Sequence, residues 1–191
     1  MSDQILLADD HRGLRELFAM ALRTRGFNCV TVASGEAAVR EMKREDFDLV
    51  VLDLRMERMS GLEVLRTMRA GNDLTKAVMV SASFSGEVVL EAAALGVTVF
   101  LAKPVTLSVF QQSLTRVLEV GRCLREPFDT VMDAAMLRDF RLASQLLREW
   151  PARTPEQEIW LEVYEELAEG GRPWKQEELV SRAETLVKHT V

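Results

Sequence analysis

Three carboxylates stand directly after short apolar runs, and their chemistry is that of a cation site. Asp53 follows the four apolar residues 49–52, and such a run is typical of a strand buried on both faces. Asp9 and Asp10 end a second apolar run near the N-terminus. Carboxylates brought to one edge repel each other and stay ionised beside a cation, and Mg²⁺ prefers such hard oxygen ligands. A carboxylate can also be the covalent acceptor of a phosphoryl group.

A hydroxyl and an amine follow two further apolar runs. Ser81 follows AVMV, and Lys103 follows VTVFLA. A serine hydroxyl can hydrogen-bond an incoming oxygen, and a lysine adds a positive charge beside it. Each residue alone has a structural explanation, because an acid at a strand end often caps a helix and Lys-Pro forms a turn. All of them together, in this order along the chain, favour a site that holds a phosphoryl group.

The elements that must position these residues alternate regularly along the chain. We predict five strands, each followed by a helix, at residues 4–10, 27–33, 47–53, 77–82 and 97–104. The helix caps are predicted to be Ser34, Ser60 with Glu63, and Thr106. This alternation predicts an α/β fold, a doubly wound five-stranded parallel sheet with helices on both faces. The carboxyl ends of its strands share one edge, where such sheets bind ligands.

Residues 4–120 resemble the receiver domain of two-component response regulators. The stretches that carry the resemblance are Asp9-Asp10, VVLDLRM around Asp53, Met59-Ser60-Gly61, Ser81-Ala82, and FLAKP at 100–104. The resemblance implies a flavodoxin-like fold for this part of the chain. It also predicts two units: a receiver domain at 1–123, whose last helix runs to about Cys123, and a C-terminal module at 124–191.

The resemblance also implies a reaction. Asp53 would take a phosphoryl group from the phosphohistidine of a sensor histidine kinase or of a phosphotransfer protein. Asp10 and Asp53, with the backbone carbonyl of Arg55, would bind Mg²⁺, and Asp9 would assist, partly through water. Lys103 would pair with a phosphate oxygen. The chain is then expected to be a phosphoacceptor with slow self-dephosphorylation, not an enzyme.

A switch is implied by the same resemblance. Ser81 would turn inward to bond the phosphate, and Phe100 would change rotamer with it. The Lys103–Pro104 peptide bond would be cis. Two departures from the usual pattern stand near the site: Glu57 replaces a common proline and Val105 a frequent phenylalanine. Neither change removes a required group, so we expect a receiver that can be phosphorylated.

The C-terminal module reads as three amphipathic helices. The first is predicted at 129–150, with Asp129 as its cap and Pro151 as its stop. The second begins at Thr154, where Pro155 and Gln157 complete a capping box. The third follows Pro173. Each has one apolar stripe that must pack on another surface. The helix-turn-helix spacing of the segment resembles a tetratricopeptide-like pair, although the sequence holds no second copy of the repeat.

Charge bears on the partners of this chain. Its net charge is −6, and the C-terminal module holds nine lysines and arginines against fourteen aspartates and glutamates. No helix shows the basic face that phosphate contacts of DNA require, so nucleic acid is not an expected partner. No apolar run approaches the roughly 20 residues that span a bilayer, and no signal peptide is apparent. We expect a cytoplasmic protein with no membrane association, in which Cys29 and Cys123 are reduced thiols.

Three functions remain in competition. The leading one is a response regulator that signals through contacts with a downstream protein, and a homodimer formed on phosphorylation is left open. The first alternative is a DNA-binding transcription regulator with an atypical helical output domain. The second is a small Mg²⁺-dependent phosphatase or phosphotransferase that uses the same acidic edge. Binding to a DNA duplex would identify the first alternative, and sustained turnover of a phosphate ester would identify the second.

Overall fold

A five-stranded parallel sheet forms the centre of the protein. The computed structural model describes residues 2–119, 131, 134–150 and 153–188. The strands in this part of the chain are β1 (Gln4–Ala8), β2 (Asn28–Val32), β3 (Leu49–Asp53), β4 (Lys76–Ser81) and β5 (Val99–Ala102). They are ordered β2-β1-β3-β4-β5, and every neighbouring pair is parallel. The predicted doubly wound fold is therefore confirmed.

Five helices connect and follow these strands, and the predicted caps form. The helices are α1 (Arg12–Arg23), α2 (Gly35–Met42), α3 (Gly61–Ala70), α4 (Gly86–Ala94) and α5 (Leu107–Glu119). The Ser34 hydroxyl accepts from the Ala37 amide at 3.2 Å, and Ser60 with Glu63 forms the full capping box of α3. The end of α5 predicted near Cys123 lies outside the described residues.

Alternate residues of each strand pack into two cores on opposite faces of the sheet. Leu7 and Val51 belong to the core under α1 and α5, where the Phe18 and Phe110 rings stack with centroids 4.2 Å apart. Leu6 and Leu52 belong to the other core, under α2, α3 and α4. Side chains alternate between faces along a strand, so strands covered on both faces read as unbroken apolar runs.

The first predicted helix of the C-terminal module is wrong, because the chain breaks it at residues 137–139. Residues 134–136 are helical, but Arg138 has a left-handed φ of 61° and the Asp139 side chain accepts from the Leu142 amide at 3.0 Å. A new helix, α6 (Phe140–Arg148), begins there. The predicted cap Asp129 and the stop Pro151 lie outside the described residues.

The two remaining helices of the C-terminal module form where they were predicted. Helix α7 (Pro155–Ala168) begins with the expected capping box of Thr154 and Gln157. A short 3-10 turn (Pro173–Lys175) precedes α8 (Glu177–Lys188). Helices α6 and α7 pack on each other. The apolar stripes are buried, as predicted, at Ile159, Trp160, Val163, Tyr164, Leu179, Ala183 and Leu186.

The C-terminal module packs on the face of the receiver formed by α4 and β5. Both α8 and the 3-10 turn contact α4, and α8 also contacts β5. One apolar core runs from Leu52 and Met79 in the sheet through Leu90 in α4 to Leu179 in α8. The division into units at 1–123 and 124–191 stays a prediction. In the structure, one hydrophobic core extends across both parts. No helix in the described part of the chain is long and apolar enough to cross a membrane.

Cys29 lies on β2 as a free thiol. Its partial burial raises the pKa of the thiol to about 11, so the group is un-ionised at neutral pH and is a poor nucleophile. Cys123 lies outside the described residues.

Candidate functional site

The carboxyl ends of β1 and β3 bring the three predicted carboxylates together. The two strands are neighbours in the sheet, with Ala8 paired to Leu52, so the residues that follow them share one edge. One oxygen each from Asp9, Asp10 and Asp53 lies within 4.8 Å of the others. Asp9 and Asp53 are buried, whereas Asp10 is exposed. The predicted cluster of carboxylates is therefore present, and we call Asp9, Asp10 and Asp53 the acidic edge.

Lys103, just beyond β5, reaches this edge and joins two of the carboxylates. Its Nζ donates to Asp9 Oδ2 and to Asp53 Oδ2, each at 2.8 Å. Both ion pairs are largely shielded from solvent, with the lysine side chain 14% exposed. Lys103 was expected to pair with a phosphate oxygen, and in this structure its ammonium group forms ion pairs with Asp9 and Asp53.

Burial shifts the pKa values of Asp53 and Lys103. It raises the pKa of Asp53 above its ordinary value, although the hydrogen bond and the charge of Lys103 oppose the rise. Burial alone would lower the pKa of Lys103, but its hydrogen bonds to Asp53 and Asp9 outweigh burial and raise that pKa. Lys103 therefore stays charged at neutral pH. The buried Asp53 carboxylate carries an electrostatic cost that a second cation would relieve.

Asp9 is fixed by groups that the sequence did not point to. The backbone amide of His11 donates to Asp9 Oδ1 at 2.8 Å, and the Arg15 guanidinium donates to the Asp9 carbonyl at 2.6 Å. The spacing offers a weak signal for the second contact, because an arginine early in α1 lies near the end of β1. The His11 bond holds the Asp9 side chain in place beside Lys103, and the Arg15 bond fixes the main chain of Asp9.

Ser81 lies at the end of β4, as predicted, and it is fully buried. Its hydroxyl donates to the backbone carbonyl of Ser83 at 2.9 Å and accepts from the Ser83 amide at 3.3 Å. The hydroxyl is thus engaged by its own loop. Phe100 on β5 is also fully buried, and its ring meets Phe84 edge to face with centroids 5.7 Å apart.

Arg55 connects the loops that follow β3 and β4. Its backbone amide donates to Asp53 Oδ1 at 3.2 Å, and its guanidinium donates to Ser83 Oγ at 2.7 Å. The sequence places these two residues at equivalent positions, each two residues beyond a strand-end site residue, but it does not show that they meet. The role of the Arg55 carbonyl as a metal ligand stays a prediction.

An open cleft of about 350 Å³ lies beside Asp10. Ala33 and Ser34 line it from the loop after β2, and Glu57 and Arg58 from the loop after β3. Glu57, which replaces a common proline, therefore adds an acid to the approach to the site. The Lys103–Pro104 peptide bond on the other side is cis, as the resemblance implied.

The donor set fits Mg²⁺. Asp9, Asp10 and Asp53 offer hard carboxylate oxygens at one solvent-accessible edge, and Mg²⁺ is usually held by one or two carboxylates with room left for waters and phosphate oxygens. Lys103 already neutralises part of the charge of Asp9 and Asp53. These residues would hold the ion without any change in the fold.

Comparison with known proteins gives consistent results over the first part of the chain. The chain is 34% identical to the chemotaxis protein CheY-3 of Vibrio cholerae over 119 residues, which cover 61% of this chain and 92% of CheY-3. It is 33% identical to the transcriptional regulatory protein GlrR of Escherichia coli, covering 60% of this chain but only 26% of GlrR. Each of these two alignments leaves about two fifths of this chain unmatched.

Solved structures agree with the sequence comparison. A response regulator receiver protein from Pseudomonas putida superposes with a TM-score of 0.58 at 30% identity, covering 61% of this chain and 98% of that one. The chemotaxis protein CheY4 of Vibrio cholerae gives a TM-score of 0.58 at 27% identity, covering 61% and 99%. The family model of the response regulator receiver domain matches residues 5–115. This chain therefore belongs to the response regulator receiver domain family.

Proposed function

We propose that this protein is a response regulator in which Asp53 accepts a phosphoryl group in a Mg²⁺-dependent reaction. The donor would be the phosphohistidine of a sensor histidine kinase or of a phosphotransfer protein. The observation that carries the proposal is the position of Asp53 at the end of β3, 2.8 Å from Lys103 and beside Asp9 and Asp10. Nucleophile, positive charge and metal-binding oxygens meet there at a solvent-accessible edge.

The reaction uses the carboxylate of Asp53 as the nucleophile. One oxygen attacks phosphorus, the P–O bond forms, and the P–N bond to the donor imidazole breaks. The imidazole leaves with the electron pair of that bond and takes a proton from solvent. Mg²⁺, when bound, would offset the negative charge of the acceptor and of the incoming oxygens. Lys103, already 2.8 Å from Asp53 Oδ2, follows the new charge onto a phosphoryl oxygen.

Ser81 must exchange partners when the phosphoryl group is present. Its hydroxyl now donates to the Ser83 carbonyl, and it can donate to a phosphoryl oxygen only after giving up that bond. A phosphoryl group adds strong acceptor oxygens and a charge near −2, so the exchange is favourable. The loop of residues 82–85, which follows Ser81, then changes its shape.

The output is proposed to be a contact with a downstream protein and not with DNA. Three arginines of the C-terminal module form ion pairs with glutamates: Arg148 with Glu165, Arg153 with Glu158, and Arg182 with Glu162. Carboxylates paired with these cations reduce the net positive charge that the module offers to a DNA backbone. The pairs Arg148–Glu165 and Arg182–Glu162 lie on partly exposed helix faces and give the module a surface of mixed charge.

The experiment that tests the proposal is phosphorylation by a small donor. Incubation with acetyl phosphate and Mg²⁺ should add one phosphoryl group, seen by intact mass, and Asp53→Asn should add none. Asp46→Asn, which changes an exposed acid elsewhere, serves as the matched control and should be labelled like the wild type. Equal labelling of Asp53→Asn would refute the assignment. Multiple turnovers of a phosphate ester would support the phosphatase alternative.

A further inference from the structure

The open cleft beside Asp10 carries an excess of negative charge. Its charged lining consists of Asp10, Glu36, Glu57 and Arg58, which are three carboxylates and one guanidinium. One oxygen of Asp10 lies within 4.8 Å of an oxygen of Asp53, so a phosphoryl donor that reaches Asp53 through this cleft passes these side chains. Charged walls around a narrow opening raise or lower the local concentration of an ionic substrate according to its sign.

The main chain fixes Glu57 and Arg58 at the mouth of the cleft. Arg58 has a left-handed φ of 66°, and the Met59 amide donates to the Glu57 carbonyl at 2.8 Å, so these residues form a tight turn. The turn rests on α2, because a Cβ at Gly35, the first residue of that helix, would overlap the Met59 carbonyl. A non-glycine residue with a left-handed backbone is uncommon, and such strain often serves a functional loop.

The charge of Glu57 has no partner, although Arg58 is its neighbour in the chain. The pKa of the Glu36 carboxyl is lowered by its hydrogen bonds with its own backbone amide and with Ser34, and further by the charges of Arg58 and Arg40. Arg58 is therefore close enough to Glu36 to offset part of its charge. The exposed Glu57 carboxylate has no ion-pair partner among the residues that the structure describes. It adds an uncompensated negative charge to the mouth of the cleft.

We propose that Glu57 is a specificity-determining residue for the phosphoryl donor. Its carboxylate disfavours small acyl phosphates, which are doubly charged anions at neutral pH, and favours a donor that brings a positive charge beside its phosphorus. A protein whose phosphohistidine has a lysine or an arginine next to it is a donor of that class. The inference rests on the proposed function, because it concerns the choice of donor for Asp53.

Two small donors differ in the charge that Glu57 meets. Acetyl phosphate is a doubly charged anion; an oxygen of Asp53 attacks its phosphorus, the P–O bond breaks, and acetate leaves with the electron pair. Phosphoramidate carries an ammonium nitrogen on phosphorus and a single net negative charge; here the P–N bond breaks, and ammonia leaves with the electron pair. Both donors give the same aspartyl phosphate. The ratio of their rate constants therefore cancels any effect of a substitution on Asp53 or on metal occupancy.

Three variants of the full-length chain change the charge of the mouth in steps. Glu57→Gln removes a negative charge, and Glu57→Lys replaces it with a positive one. Arg58→Asn removes the positive charge and keeps a residue that tolerates the left-handed backbone. Asp46→Asn is the matched control, because it removes an exposed negative charge from the loop before β3, at the opposite end of that strand from Asp53.

The measurement is the second-order rate constant of phosphorylation with each donor, followed by intact mass in saturating Mg²⁺ at low ionic strength. For charges about 10 Å apart in water, we expect the ratio of the acetyl phosphate constant to the phosphoramidate constant to rise about twofold in Glu57→Gln and about fourfold in Glu57→Lys. The ratio should fall about twofold in Arg58→Asn and stay unchanged in Asp46→Asn. In about 1 M salt, where the Debye length is about 3 Å, these differences should disappear.

The outcomes separate the role of Glu57 from the function beneath it. A ratio that is unchanged in both Glu57 variants, or that changes as much in Asp46→Asn, would overturn the inference and leave the proposed function standing. A change that persists in high salt would also overturn it, because the cause would then be the shape of the loop and not its charge. If neither donor labels the wild type, the proposed function of Asp53 is refuted and the inference with it. The inference requires a ratio that follows the charge of the mouth and does so only at low salt.

Discussion

At the acidic edge, one lysine is set against three carboxylates. Lys103 bridges Asp9 and Asp53, while Asp10 lies beside them at the surface. The metal-free site thus keeps an excess of negative charge, part of it on the buried Asp53, whose pKa is raised by burial. Any change that removes one carboxylate should relieve this repulsion at the expense of the metal site.

Asp10→Ala tests whether removing one carboxylate relieves the repulsion in the metal-free site and abolishes metal binding. We expect the variant to lose Mg²⁺ binding and, in metal-free buffer, to melt about 2 °C higher, a shift that corresponds to ~1 kcal/mol or less for a chain of this size. Thermal unfolding with a chelator and a Mg²⁺ titration are the measurements. Asp46→Ala removes an exposed acid outside the acidic edge and should change neither. A clear fall in the metal-free melting temperature of Asp10→Ala would contradict the argument.

The sequence predicted the positions of the site residues but not their contacts. Asp53, Ser81 and Lys103 could be placed because each ends an apolar run, and parallel strands end at one edge. The contact between Arg55 and Ser83 and the turn of Ser81 toward its own loop depend on side-chain rotamers in two loops. No pattern of residue types along the chain encodes those rotamers.

Among the elements, the break before α6 shows how apolar spacing alone can mislead. Ala135, Met136 and Ala143 keep helical spacing across the break, and arginine at position 138 gives no sign of a left-handed backbone. The interruption is recognisable in the structure from Asp139, whose carboxylate caps α6. In the sequence, the signal of this cap is an acid directly before a segment whose apolar residues include Phe140, Leu142 and Ala143.

The cap of α6 gives a prediction at this scale. Asp139→Ala leaves the Leu142 amide without its side-chain partner and should lower the free energy of unfolding by ~1 kcal/mol, the usual loss for an N-cap. Asp139→Asn, which can still accept that hydrogen bond, should stay within about half of this loss. Urea denaturation of the two variants beside the wild type measures the difference. Equal stability of Asp139→Ala and the wild type would show that the break does not depend on this cap.

The docking of the C-terminal module could not be predicted from its stripes. Leu179, Ala183 and Leu186 show that α8 buries one face, but a stripe does not specify the surface that covers it. The partner is set by shape at the main chain, where Gly86 lets α8 approach α4. A single glycine at the start of a helix has many explanations in a sequence, and only the three-dimensional arrangement selects one.

In the molecule as a whole, the tryptophans report on the contact between receiver and module. All three, Trp150, Trp160 and Trp174, belong to the C-terminal module, and Trp174 lies in the 3-10 turn that packs on α4. Mg²⁺ alone should leave tryptophan emission nearly unchanged, because the candidate metal ligands Asp9, Asp10 and Asp53 all lie outside the module. Mg²⁺ with beryllofluoride should shift the emission if a phosphoryl mimic on Asp53 changes the packing of the module on α4.

Trp174→Phe identifies the source of that signal. Most of the emission change should vanish in this variant, while Trp150→Phe should keep it, since Trp174 lies in the 3-10 turn that packs on α4. Steady-state fluorescence at saturating mimic is the measurement. Flat emission from the wild type, with the mimic shown to be bound by mass, would mean that the module does not respond to Asp53.

The close approach of Gly86 to Val180 also has an evolutionary consequence. The match to the receiver-domain family model ends at residue 115, but the hydrophobic core continues into α8, so the packed unit is longer than the part that the family model describes. In descendants that keep these C-terminal helices, position 86 can change only if the main chain of α8 shifts with it. Without these helices, the apolar face of α4 that they cover would be exposed to solvent. A fusion of this receiver to a different output domain would therefore also require polar substitutions on α4. Without them, the fusion would expose an apolar surface that favours aggregation.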